Sequence, residues 1–452
     1  MTKMNNLKIY NTLSKVKEEF IPLNKNSIGM YVCGPTVYDD PHIGNARPLI
    51  IFDLVYRILI KKFGKHKVNY VRNITDIDDK IIQRANELKI NISELTKSIT
   101  DIFFADCKYL NCLIPNHQPK ATDHITDMIQ MIEKLLAKKF AYIKDGNVYF
   151  NVNKFKDYGK LSNKNPKELI SGSRVEVSEL KNNPLDFVLW KPSKDKEPSW
   201  QSPWGNGRPG WHIECSAMSE KFLGKEFDLH CGGLDLIFPH HENEIAQSIC
   251  ANNSNIFAKY WMHNGYVTVD GKKMSKSDGN FITINNLKNN FSGQIVRLCI
   301  LGTHYRQPLD WNFKILETNK KILDNWYSFY SSNEDEISDE LFNILLDDLN
   351  TPKFITSIHD LYNKAKTGNV SAKKNLNSAL KFIGLFNENK EQFNILRKKI
   401  KLDKSDIENL IEQRNLARKN KDFKKADAIR LDLEKNGILI EDLNDKTHWK
   451  HK

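Results

Sequence analysis

Residues 28 to 48 read IGMYVCGPTVYDDPHIGNARP, and their pattern indicates the class of fold. The apolar run that begins at Ile28 stops at Gly34-Pro35, which predicts a short buried strand followed by a loop. Apolar residues recur at helical spacing from His42 to Leu59, so a helix follows the loop. The order strand, loop, helix is typical of the units that build parallel sheets.

The pattern repeats further along the chain. A second strand is expected at Lys67 to Arg72, and after NITDIDDK a helical pattern runs from Ile81 to Leu88. A second α/β half resumes near Gly210, with a strand-like run at Phe227 to His230 and a helix beginning around His240. The predicted fold class is therefore α/β, a Rossmann-like doubly wound parallel sheet.

The remaining segments have other patterns. Residues from about 115 to 200 contain Asn-Pro pairs and turn signals, which indicate an insertion. After Trp311, apolar residues at helical spacing predict an α-helical bundle. A basic helical pair from Ile407 to Asn436, followed by one short strand GILIED, predicts a small mixed α/β module. The expected division is 1–114 for the first half of the Rossmann-like domain, 115–205 for the insertion, 206–310 for its second half, 311–400 for the bundle and 401–452 for the C-terminal module.

Composition limits the class of protein. The 452 residues carry a net charge of +12 and are 40% hydrophobic, which excludes a disordered chain and suits a polyanionic partner. The first residues, MTKMNNLKIYNTLSK, resemble no signal peptide, and no stretch has the roughly 18 apolar residues of a membrane span. Seven scattered cysteines favour a reducing compartment. We therefore expect a soluble, cytoplasmic protein that does not bind membranes.

The tetrapeptide HIGN, at the start of the first predicted helix, suits an anionic ligand. Helix N-termini attract phosphate, and Gly44 lets a base or a phosphate approach the backbone closely. His42 and Asn45 can donate hydrogen bonds to phosphate oxygens. The tetrapeptide alone leaves open the alternative that Gly44 only allows tight helix packing.

A second motif, GKKMSKSDGN at residues 271 to 280, places Lys272, Lys273 and Lys276 in a loop. Mobile lysines can close over a nucleotide and stabilise the charge that develops on an α-phosphate as pyrophosphate leaves. Taken alone, the motif is also compatible with a solvated basic loop. As a pair, HIGN and KMSKS resemble the signature of class I aminoacyl-tRNA synthetases, although that family usually has His where this chain has Asn45.

Two thiols, an imidazole and a carboxylate make a credible set of zinc ligands, namely Cys33, Cys215, His240 and Glu244. A spacing of four puts His240 and Glu244 on one helical face. Cys33 ends a strand beside HIGN, where ligands gather in open α/β sheets. A zincin protease site is excluded because Ile245 stands where the second histidine of that motif would be. Each of the four residues, taken singly, is also compatible with a place in the core.

Seven longer strings resemble the cysteinyl-tRNA synthetase family, and the resemblance extends from Leu7 to Trp449. They are YVCGPTVYD, NITDIDDKII, PLDFVLWK, GRPGWHIECSAM, FPHHENEIAQS, YWMHNGYV and KMSKSDGNF. A zinc ion fits the chemistry of such a family. Serine has nearly the volume of cysteine, so a cavity alone separates the two amino acids poorly, whereas zinc bonds a thiolate better than an alcohol.

The resemblance implies that the protein activates L-cysteine with ATP and Mg²⁺ and transfers it to the 3′ end of tRNA(Cys). It also implies one Zn²⁺ per chain, a monomer, a catalytic role for the Rossmann-like domain and anticodon binding by residues 401–452. The implied site residues are Cys33, Cys215, His240 and Glu244 as zinc ligands, Trp211, His230, Thr75 and Asp235 in the cysteine pocket, His42, Gly44, Asn45 and Lys276 at ATP, His42, Lys273 and Lys276 in catalysis, and Arg430, Asp442 and Trp449 at the tRNA.

Some residues keep a structural interpretation beside the functional one. Thr75 is also compatible with a helix N-cap, and Trp211 with a core position. The acidic residues Asp76, Asp78 and Asp79 are interpreted as a capping cluster rather than a magnesium site. Cys231, where the family pattern has Gly, is interpreted as a small buried residue. The remaining cysteines are interpreted as core residues, namely Cys107, Cys112, Cys250 and Cys299.

Two other functions are considered. One is a cysteine-adenylating ligase that acts on an amino sugar, and the predicted bundle and basic module after residue 311 favour tRNA over that acceptor. The other is a non-catalytic, zinc-stabilised RNA-binding protein. Lys276 and the HIGN helix argue against it, because an RNA clamp has no need of a site for the α-phosphate of ATP.

Overall fold

The first part of the chain forms the predicted strand, helix and strand. The computed structural model describes residues 4–164, 180–275, 280–288, 290–393, 404–420, 422–435, 438–443 and 446–451. An antiparallel hairpin of β1 (Lys8–Asn11) and β2 (Val16–Glu19) comes first. Strand β3 (Ile28–Val32), helix α1 (Ile43–Phe63) and strand β4 (Val68–Arg72) then form the predicted βαβ unit, and α2 (Asp79–Leu88) and α3 (Ile92–Tyr109) follow.

The insertion contains a sheet of its own. After helix α4 (Ile125–Ala137), the strands β5 (Ala141–Lys144), β6 (Asn147–Phe150), β7 (Phe187–Pro192) and β8 (Gly207–Pro209) pair antiparallel in chain order. Strand β8 leads through Gly210 directly into the next helix, which carries two of the predicted site residues. The insertion therefore joins the rest of the molecule beside the predicted site.

The second half completes the main parallel sheet. Its elements are α5 (Trp211–Leu223), β9 (Phe227–Gly233), α6 (Glu242–Asn252) and β10 (Ala258–Asn264). The sheet order is β10-β9-β3-β4, and all neighbours are parallel. The chain moves from β3 to β4 in one direction and from β9 to β10 in the other. The topological switch point therefore lies between β3 and β9, where ligands bind in such folds.

The two faces of the main sheet are covered by different helices. Met30 and Val32 of β3 belong to a core that includes α1, whereas Tyr31 between them belongs to a second core with α4, α5 and α6. This alternation is expected because successive side chains of a strand point to opposite faces. The Rossmann-like, doubly wound architecture is confirmed.

A small second sheet adjoins the main one. Strands β11 (Val267–Val269) and β12 (Lys272–Lys273) form an antiparallel pair, and β13 (Leu309–Trp311) lies parallel to β11. Helices α7 (Ile284–Lys288) and α8 (Gly293–Leu301) lie between β12 and β13 in the chain. The KMSKS motif therefore begins at the end of a short β-hairpin.

The C-terminal third is mainly helical, as predicted. It contains α9 (Phe313–Tyr327), α10 (Asp339–Leu345), α11 (Thr351–Lys366) and α12 (Val370–Phe382), then α13 (Lys404–Lys419) and α14 (Phe423–Lys435). The prediction of one terminal strand was wrong, because β14 (Ile438–Leu443) pairs antiparallel with β15 (Lys446–His451). The polar sequence KTHWKH of β15 lacks the apolar run by which the first strand was identified. Across the described ranges, no helix combines the length and the apolarity that a membrane span requires.

Candidate active site

Four predicted ligands come together at the carboxyl ends of β3 and β9. Their ligand atoms all lie within 4.8 Å of one another, in the group Cys33, Cys215, His240 and Glu244. The Sγ atoms of Cys33 and Cys215 are 3.8 Å apart, and Cys33 Sγ lies 3.7 Å from Glu244 Oε1. His240 Nε2 lies 3.0 Å from the same carboxylate oxygen. The arrangement brings two thiols, one imidazole and one carboxylate to a common point.

The local structure explains how these residues meet. Cys33 follows β3 directly, and its N–H donates to the carbonyl of Cys231 on β9. Cys215 lies in the second turn of α5, while Glu244 lies in the first turn of α6. His240 belongs to the tight turn at Ile237–His241 that leads into α6. Three separate segments of the chain therefore converge at the switch point of the sheet.

A second possible ligand set overlaps the first. Cys33 and Glu244 also lie within 4.8 Å of ligand atoms on His230 and His241. His230 Nε2 is 2.8 Å from Glu244 Oε2, and His241 Nε2 is 3.3 Å from Cys33 Sγ. His241 was not predicted from the sequence, although the His-His pair in FPHHENE was a signal that could have identified it.

More imidazoles surround this group. His212 Nδ1 lies 3.0 Å from His240 Nδ1, and His263 Nε2 lies 2.8 Å from His241 Nδ1. His263 Nδ1 in turn contacts Thr12 Oγ1 at 2.8 Å. His263 was not predicted as a site residue, because it reaches the group only through the pairing of β10 with β9. These contacts fix the orientations of the rings that lie nearest to the carboxylate.

The electrostatics of the site favour the deprotonated forms of two ligand side chains, Glu244 and Cys215. Burial raises the pKa of Glu244, but electrostatic interactions with His230 and His240 and hydrogen bonds from both outweigh it, so that pKa falls to about 2. Burial also raises the pKa of Cys215, yet hydrogen bonds from Cys33 and His240 bring it down to about 6. The pKa of Cys33 is raised well above its usual value by burial and by Cys215. Within the thiol pair, Cys215 therefore loses its proton first.

The residues predicted for the amino-acid pocket have different environments. Trp211 is 37% exposed and its ring stacks on His240, with centroids 4.2 Å apart. His230 is completely buried and stacked on Trp261. Its hydrogen bond to Glu244 holds that carboxylate in place within the ligand group. Asp235 is exposed in the turn that follows β9. Trp211 therefore lies at the surface of the site rather than in the core.

Thr75 connects this pocket to a buried acid that the sequence analysis missed. Its hydroxyl donates to Glu214 Oε2 at 2.8 Å and accepts from Asn73 Nδ2 at 3.3 Å. Glu214 is 1% exposed and lies on α5 between Trp211 and Cys215. Burial, followed by the nearby Cys215, raises the pKa of Glu214 well above its usual value. The contact holds the NITD loop against the helix that carries Trp211.

The aspartates of NITDIDDK have structural partners. Asp78 is the N-cap of α2 and accepts from the N–H of Lys80 at 2.9 Å, as the capping interpretation predicts. Asp79 pairs with Lys191 at 2.7 Å and with Arg208. The carboxylate of Asp76 accepts from the Thr122 hydroxyl at 2.6 Å. Cys231 is completely buried in the core that includes α1.

The HIGN and KMSKS motifs are neighbours in space. His42 is the N-cap of α1, and its backbone N–H donates to Asn45 Oδ1 at 3.0 Å. The His42 ring folds over Gly44, where a Cβ would lie 2.7 Å from ring atom Cε1 and 3.6 Å from Met274 of the second motif. Phe281, at the other end of that motif, packs edge-on against His42.

The base of the KMSKS loop is closed by hydrogen bonds. Asn280 Nδ2 donates to the carbonyl of Lys273 at 3.1 Å, and Asn280 Oδ1 accepts from the N–H of Ser275 at 2.8 Å. Lys273 itself is exposed on β12. Lys276, predicted to contact ATP, lies outside the described residues.

The three residues predicted at the tRNA lie in the C-terminal module. The Asp442 carboxylate accepts from Arg414 Nη2 at 2.8 Å and also pairs with Arg418. Trp449 packs at a right angle on Phe313 with ring centroids 5.7 Å apart, and it also contacts the apolar core of the module. Arg430 is exposed on α14. Asp442 thus connects β14 with α13, and its contact with a base stays a prediction.

Comparisons with known proteins agree over the whole chain. Residues 19–321 match the family described as tRNA synthetases class I (C) catalytic domain. Residues 404–449 match the family described as Cysteinyl-tRNA ligase anticodon binding domain. The second match covers the predicted basic module, and neither the amino-sugar ligase nor the non-catalytic RNA-binding protein is favoured by this pair of matches.

Similar proteins include cysteine–tRNA ligases of two bacteria. That of Pelagibacter ubique is 55% identical over 445 residues, covering 98% of each chain, and that of Rickettsia felis is 50% identical over 452 residues, covering 97% of each. Among solved structures, Mycobacterium tuberculosis methionyl-tRNA synthetase with methionyl-adenylate aligns with a TM-score of 0.52 at 15% identity, covering 86% of this chain and 84% of its own. An Agrobacterium radiobacter LeuRS–tRNA–LeuAMS complex gives 0.56 at 10% identity, covering 80% and 83%. These structures share the fold, and the sequence matches show that the chain belongs to the cysteine–tRNA ligase family of class I tRNA synthetases.

Proposed function

We propose that this enzyme activates L-cysteine with ATP and transfers the cysteinyl group to the 3′ end of tRNA(Cys). The observation that carries the proposal is that the Cys33–Cys215–His240–Glu244 group forms at the carboxyl end of β3, from which the chain leads into the HIGN helix. A metal-ligand group rich in thiols and a phosphate-binding helix N-terminus then share one site at the sheet switch point. Such a site can hold the thiol of cysteine and the phosphates of ATP at the same time.

The donor set fits a zinc ion. Two thiolates bound tetrahedrally at about 2.3 Å would be about 3.8 Å apart, and the two sulfurs are separated by 3.8 Å. The first ligand set offers two thiols, whereas the overlapping set offers one, and zinc prefers sulfur and imidazole. We therefore assign Cys33, Cys215, His240 and Glu244 as ligands of one zinc ion. When bound, zinc would act as a Lewis acid that coordinates the thiolate of cysteine and coordinates the hydroxyl of serine poorly.

The neighbouring side chains would orient the rest of the amino acid. The Thr75 hydroxyl donates its only proton to Glu214. Toward any other group, the Thr75 oxygen can therefore act only as a hydrogen-bond acceptor. An acceptor at that place suits the α-ammonium group of the substrate. Trp211 would cover the bound amino acid, and exposed Asp235 would add a negative charge near the ammonium group. His230 would act on the pocket through Glu244.

Activation needs no protein nucleophile. The cysteine carboxylate oxygen attacks the α-phosphorus of ATP, a new P–O bond forms, and the bond to the β-phosphate breaks to release pyrophosphate. The N-terminus of α1, with His42, Gly44 and Asn45, would hold the phosphates on one side. Lys273 and Lys276 would stabilise the developing charge from the other side, and the Mg²⁺ that accompanies ATP would balance the pyrophosphate.

The second step transfers the cysteinyl group to tRNA. A hydroxyl of the terminal ribose attacks the cysteinyl carbonyl, an ester bond forms, and AMP leaves. Residues 401–452 would bind the anticodon end, with Arg430 at a phosphate and Asp442 and Trp449 at bases. The domain division given above, with catalysis at 1–114 and 206–310, is part of the same proposal.

The setting of the enzyme is also proposed. All seven cysteines lie in the described part of the chain and are free thiols, which suits a reducing compartment. We propose a cytoplasmic enzyme that acts as a monomer. Gel filtration with in-line light scattering would measure the mass of the particle against the chain mass of 52.5 kDa, and a particle of twice that mass would contradict the monomer.

Transfer to tRNA tests the function most completely. The enzyme is incubated with labelled cysteine, ATP and either an unfractionated tRNA pool or purified tRNA(Cys), and acid-precipitable label is counted. We expect label on tRNA(Cys) and none on a tRNA whose anticodon differs. Formation of the adenylate without transfer to any tRNA, together with transfer to an amino sugar, would overturn the proposal.

A further inference from the structure

Arg47 is a buried cation on α1, two residues after HIGN. Its side chain has no solvent exposure. The guanidinium donates through Nη1 to the carbonyl of Tyr266 and through Nη2 to the carbonyls of Gln307, Tyr305 and His304. In the part of the chain that the structure describes, no carboxylate lies within 4.0 Å of it. A buried charge balanced only by backbone carbonyls is uncommon, because desolvating an ion is unfavourable.

The carbonyls that Arg47 binds belong to the base of the hairpin that carries KMSKS. Tyr266 directly precedes β11, and its carbonyl also accepts from the N–H of Leu309 at 2.9 Å. Gly265 donates to the carbonyl of Tyr305 at 2.8 Å. A Cβ at Gly265 would lie 2.6 Å from the Gln307 carbonyl oxygen, so the two segments are in close contact. Arg47 thus binds both backbones where β11 and β13 begin.

The far end of the KMSKS loop returns to the same helix. The N–H of Ile43 donates to the carbonyl of Ile282 at 3.0 Å, and the N–H of Ile284 donates to the carbonyl of Pro41 at 2.8 Å. The loop therefore leaves from a hairpin held by Arg47 and ends on the first residues of α1. Both of its ends are fixed to the element that begins with HIGN.

We propose that Arg47 is a positioning residue that sets the β11–β12 hairpin, and with it Lys272 and Lys273, at the distance from the α1 N-terminus that adenylation requires. The inference rests on the proposed function, since it concerns the same ATP site. A guanidinium can serve four carbonyls at once because its N–H groups form a rigid fork. Replacement of the Arg47 guanidinium removes its hydrogen bonds to the hairpin backbone and lets the hairpin shift. Small displacements of catalytic groups reduce rates strongly.

The experiment compares the two half-reactions in Arg47→Lys and Arg47→Met. Adenylate formation is followed by ATP–pyrophosphate exchange, with kcat and the KM for ATP measured separately. Transfer is followed by mixing isolated enzyme-bound cysteinyl-adenylate with tRNA(Cys) in a single turnover. Arg297→Met is the matched control, because Arg297 is equally buried and is also bound to α1, through Asp53, whereas its other contacts are the carbonyls of Ile383 and Leu110 and not those of the hairpin.

We expect Arg47→Met to lower the kcat of exchange about 10–100-fold while the single-turnover transfer rate changes less than about threefold. Arg47→Lys, which can serve fewer carbonyls, should fall between wild type and Arg47→Met. Arg297→Met should lower the melting temperature and affect both half-reactions alike. If the Arg47 variants fold and exchange normally, lose both half-reactions equally, or both fail to fold, the inference is wrong. Absence of exchange in the wild-type protein would instead overturn the proposed function.

Discussion

Cys215 and Glu244 are prepared for a cation before any metal binds. Both groups have pKa values below their usual range, about 6 for the thiol and about 2 for the carboxyl, whereas the pKa of His240 is raised to about 10. Burial opposes this rise, but the charge of Glu244 and the hydrogen bond to Cys215 outweigh it. The protonated imidazole of His240 thus supplies the positive charge that a metal ion would bring to Cys215 and Glu244. A metal that replaces this proton should release it to solvent.

Cys215→Ser tests which ligand set is used. The variant should lose zinc affinity by more than the roughly 10–100-fold that removal of an outer partner costs, and it should lose discrimination between cysteine and serine. His241→Asn, which alters only the overlapping set, should keep one zinc per chain. Zinc is measured by atomic absorption after dialysis against a chelator. Stoichiometric zinc in Cys215→Ser together with zinc loss in His241→Asn would show that the second set holds the metal.

Thr75→Val tests the proposed contact with the substrate ammonium group. The valine removes a hydrogen-bond acceptor for a charged donor, a contact worth roughly 1.5–3 kcal/mol, so the KM for cysteine should rise about 10–100-fold. The control ligand is 3-mercaptopropionate, which keeps the thiol and carboxylate but has no amine. Its inhibition constant should stay unchanged, and a parallel loss for both molecules would exclude the ammonium contact.

The sequence identified the residues whose chemistry is visible in short motifs. Cys33, Cys215, His240 and Glu244 were named from residue type, spacing and family resemblance, and the structure brings their ligand atoms together. Glu214 and His263 were missed, because a single acid or histidine in an apolar strand or helix carries no pattern. Their roles depend on contacts with residues 139 and 22 positions away in the chain.

Helix α1 connects the two nucleotide motifs to the core. Its N-terminal turn contains HIGN, and its next turns carry Arg47 and Asp53, both buried. The Asp53 carboxylate accepts from Arg57 at 2.8 Å, pairs with Arg297 of α8 and also accepts from the N–H of Leu113. A displacement of α1 would therefore change the site and the packing of α8 together.

Asp53→Asn should destabilise the protein in a pH-dependent way. Burial raises the pKa of Asp53, but Arg297 and Arg57 lower it further, so the net shift is downward. The folded pKa is thus below the unfolded value of about 3.9, and the stabilisation is complete above that value and lost as pH falls through the folded pKa. Breaking the buried pair should cost roughly 3–5 kcal/mol at pH 7.

The check is the difference in thermal midpoint between wild type and Asp53→Asn at pH 7 and at pH 3.5. We expect a large difference at pH 7 that narrows as the pH falls below about 3.9, because the Asp53 carboxylate of the unfolded chain then takes up a proton more readily than that of the folded protein. A difference that is equal at both pH values would mean that the Asp53 charge contributes nothing to stability.

Secondary structure was predictable where a pattern was long. The βαβ unit from Ile28 to Arg72 was found because α1 extends over six turns of apolar spacing. The sheet of the insertion was not, since its strands have only three to six residues and, apart from the tight turn at Asp145–Gly146 between β5 and β6, are separated by long connections. Only the first strand of the terminal hairpin was predicted. The second strand, β15, contains Trp449 and is polar, so it is recognised only through its pairing with β14.

Taken as a whole, the chain carries charge that matches its largest substrate. The net charge is +12, and the basic helices α13 and α14 lie in the module that matches an anticodon-binding family. The packing of Trp449 on Phe313 joins this module to the start of α9. Electrostatic attraction to a tRNA would bring both ends of the molecule into contact with one polyanion.

Arg430→Ala should weaken tRNA binding without affecting activation. Loss of one phosphate contact should reduce the slope of log affinity against log salt by about one. The ATP–pyrophosphate exchange rate should be unchanged, because exchange needs no tRNA. Lys366→Ala, on α11, is the control and should leave the salt slope as in wild type. Binding is measured by filter retention of labelled tRNA(Cys) from 50 to 200 mM salt, and an unchanged slope in Arg430→Ala would remove this residue from the interface.

The source of amino-acid specificity is tested by ATP–pyrophosphate exchange with cysteine and serine in parallel, on protein whose zinc content has been measured. We expect one zinc per chain and a kcat/KM for cysteine at least about 10⁴-fold above that for serine, since serine leaves the metal ligand group without a suitable partner. Removal of zinc should abolish that preference. Equal exchange with both amino acids, or cysteine selectivity that survives complete loss of zinc, would contradict the assignment of Cys33, Cys215, His240 and Glu244 as the source of specificity.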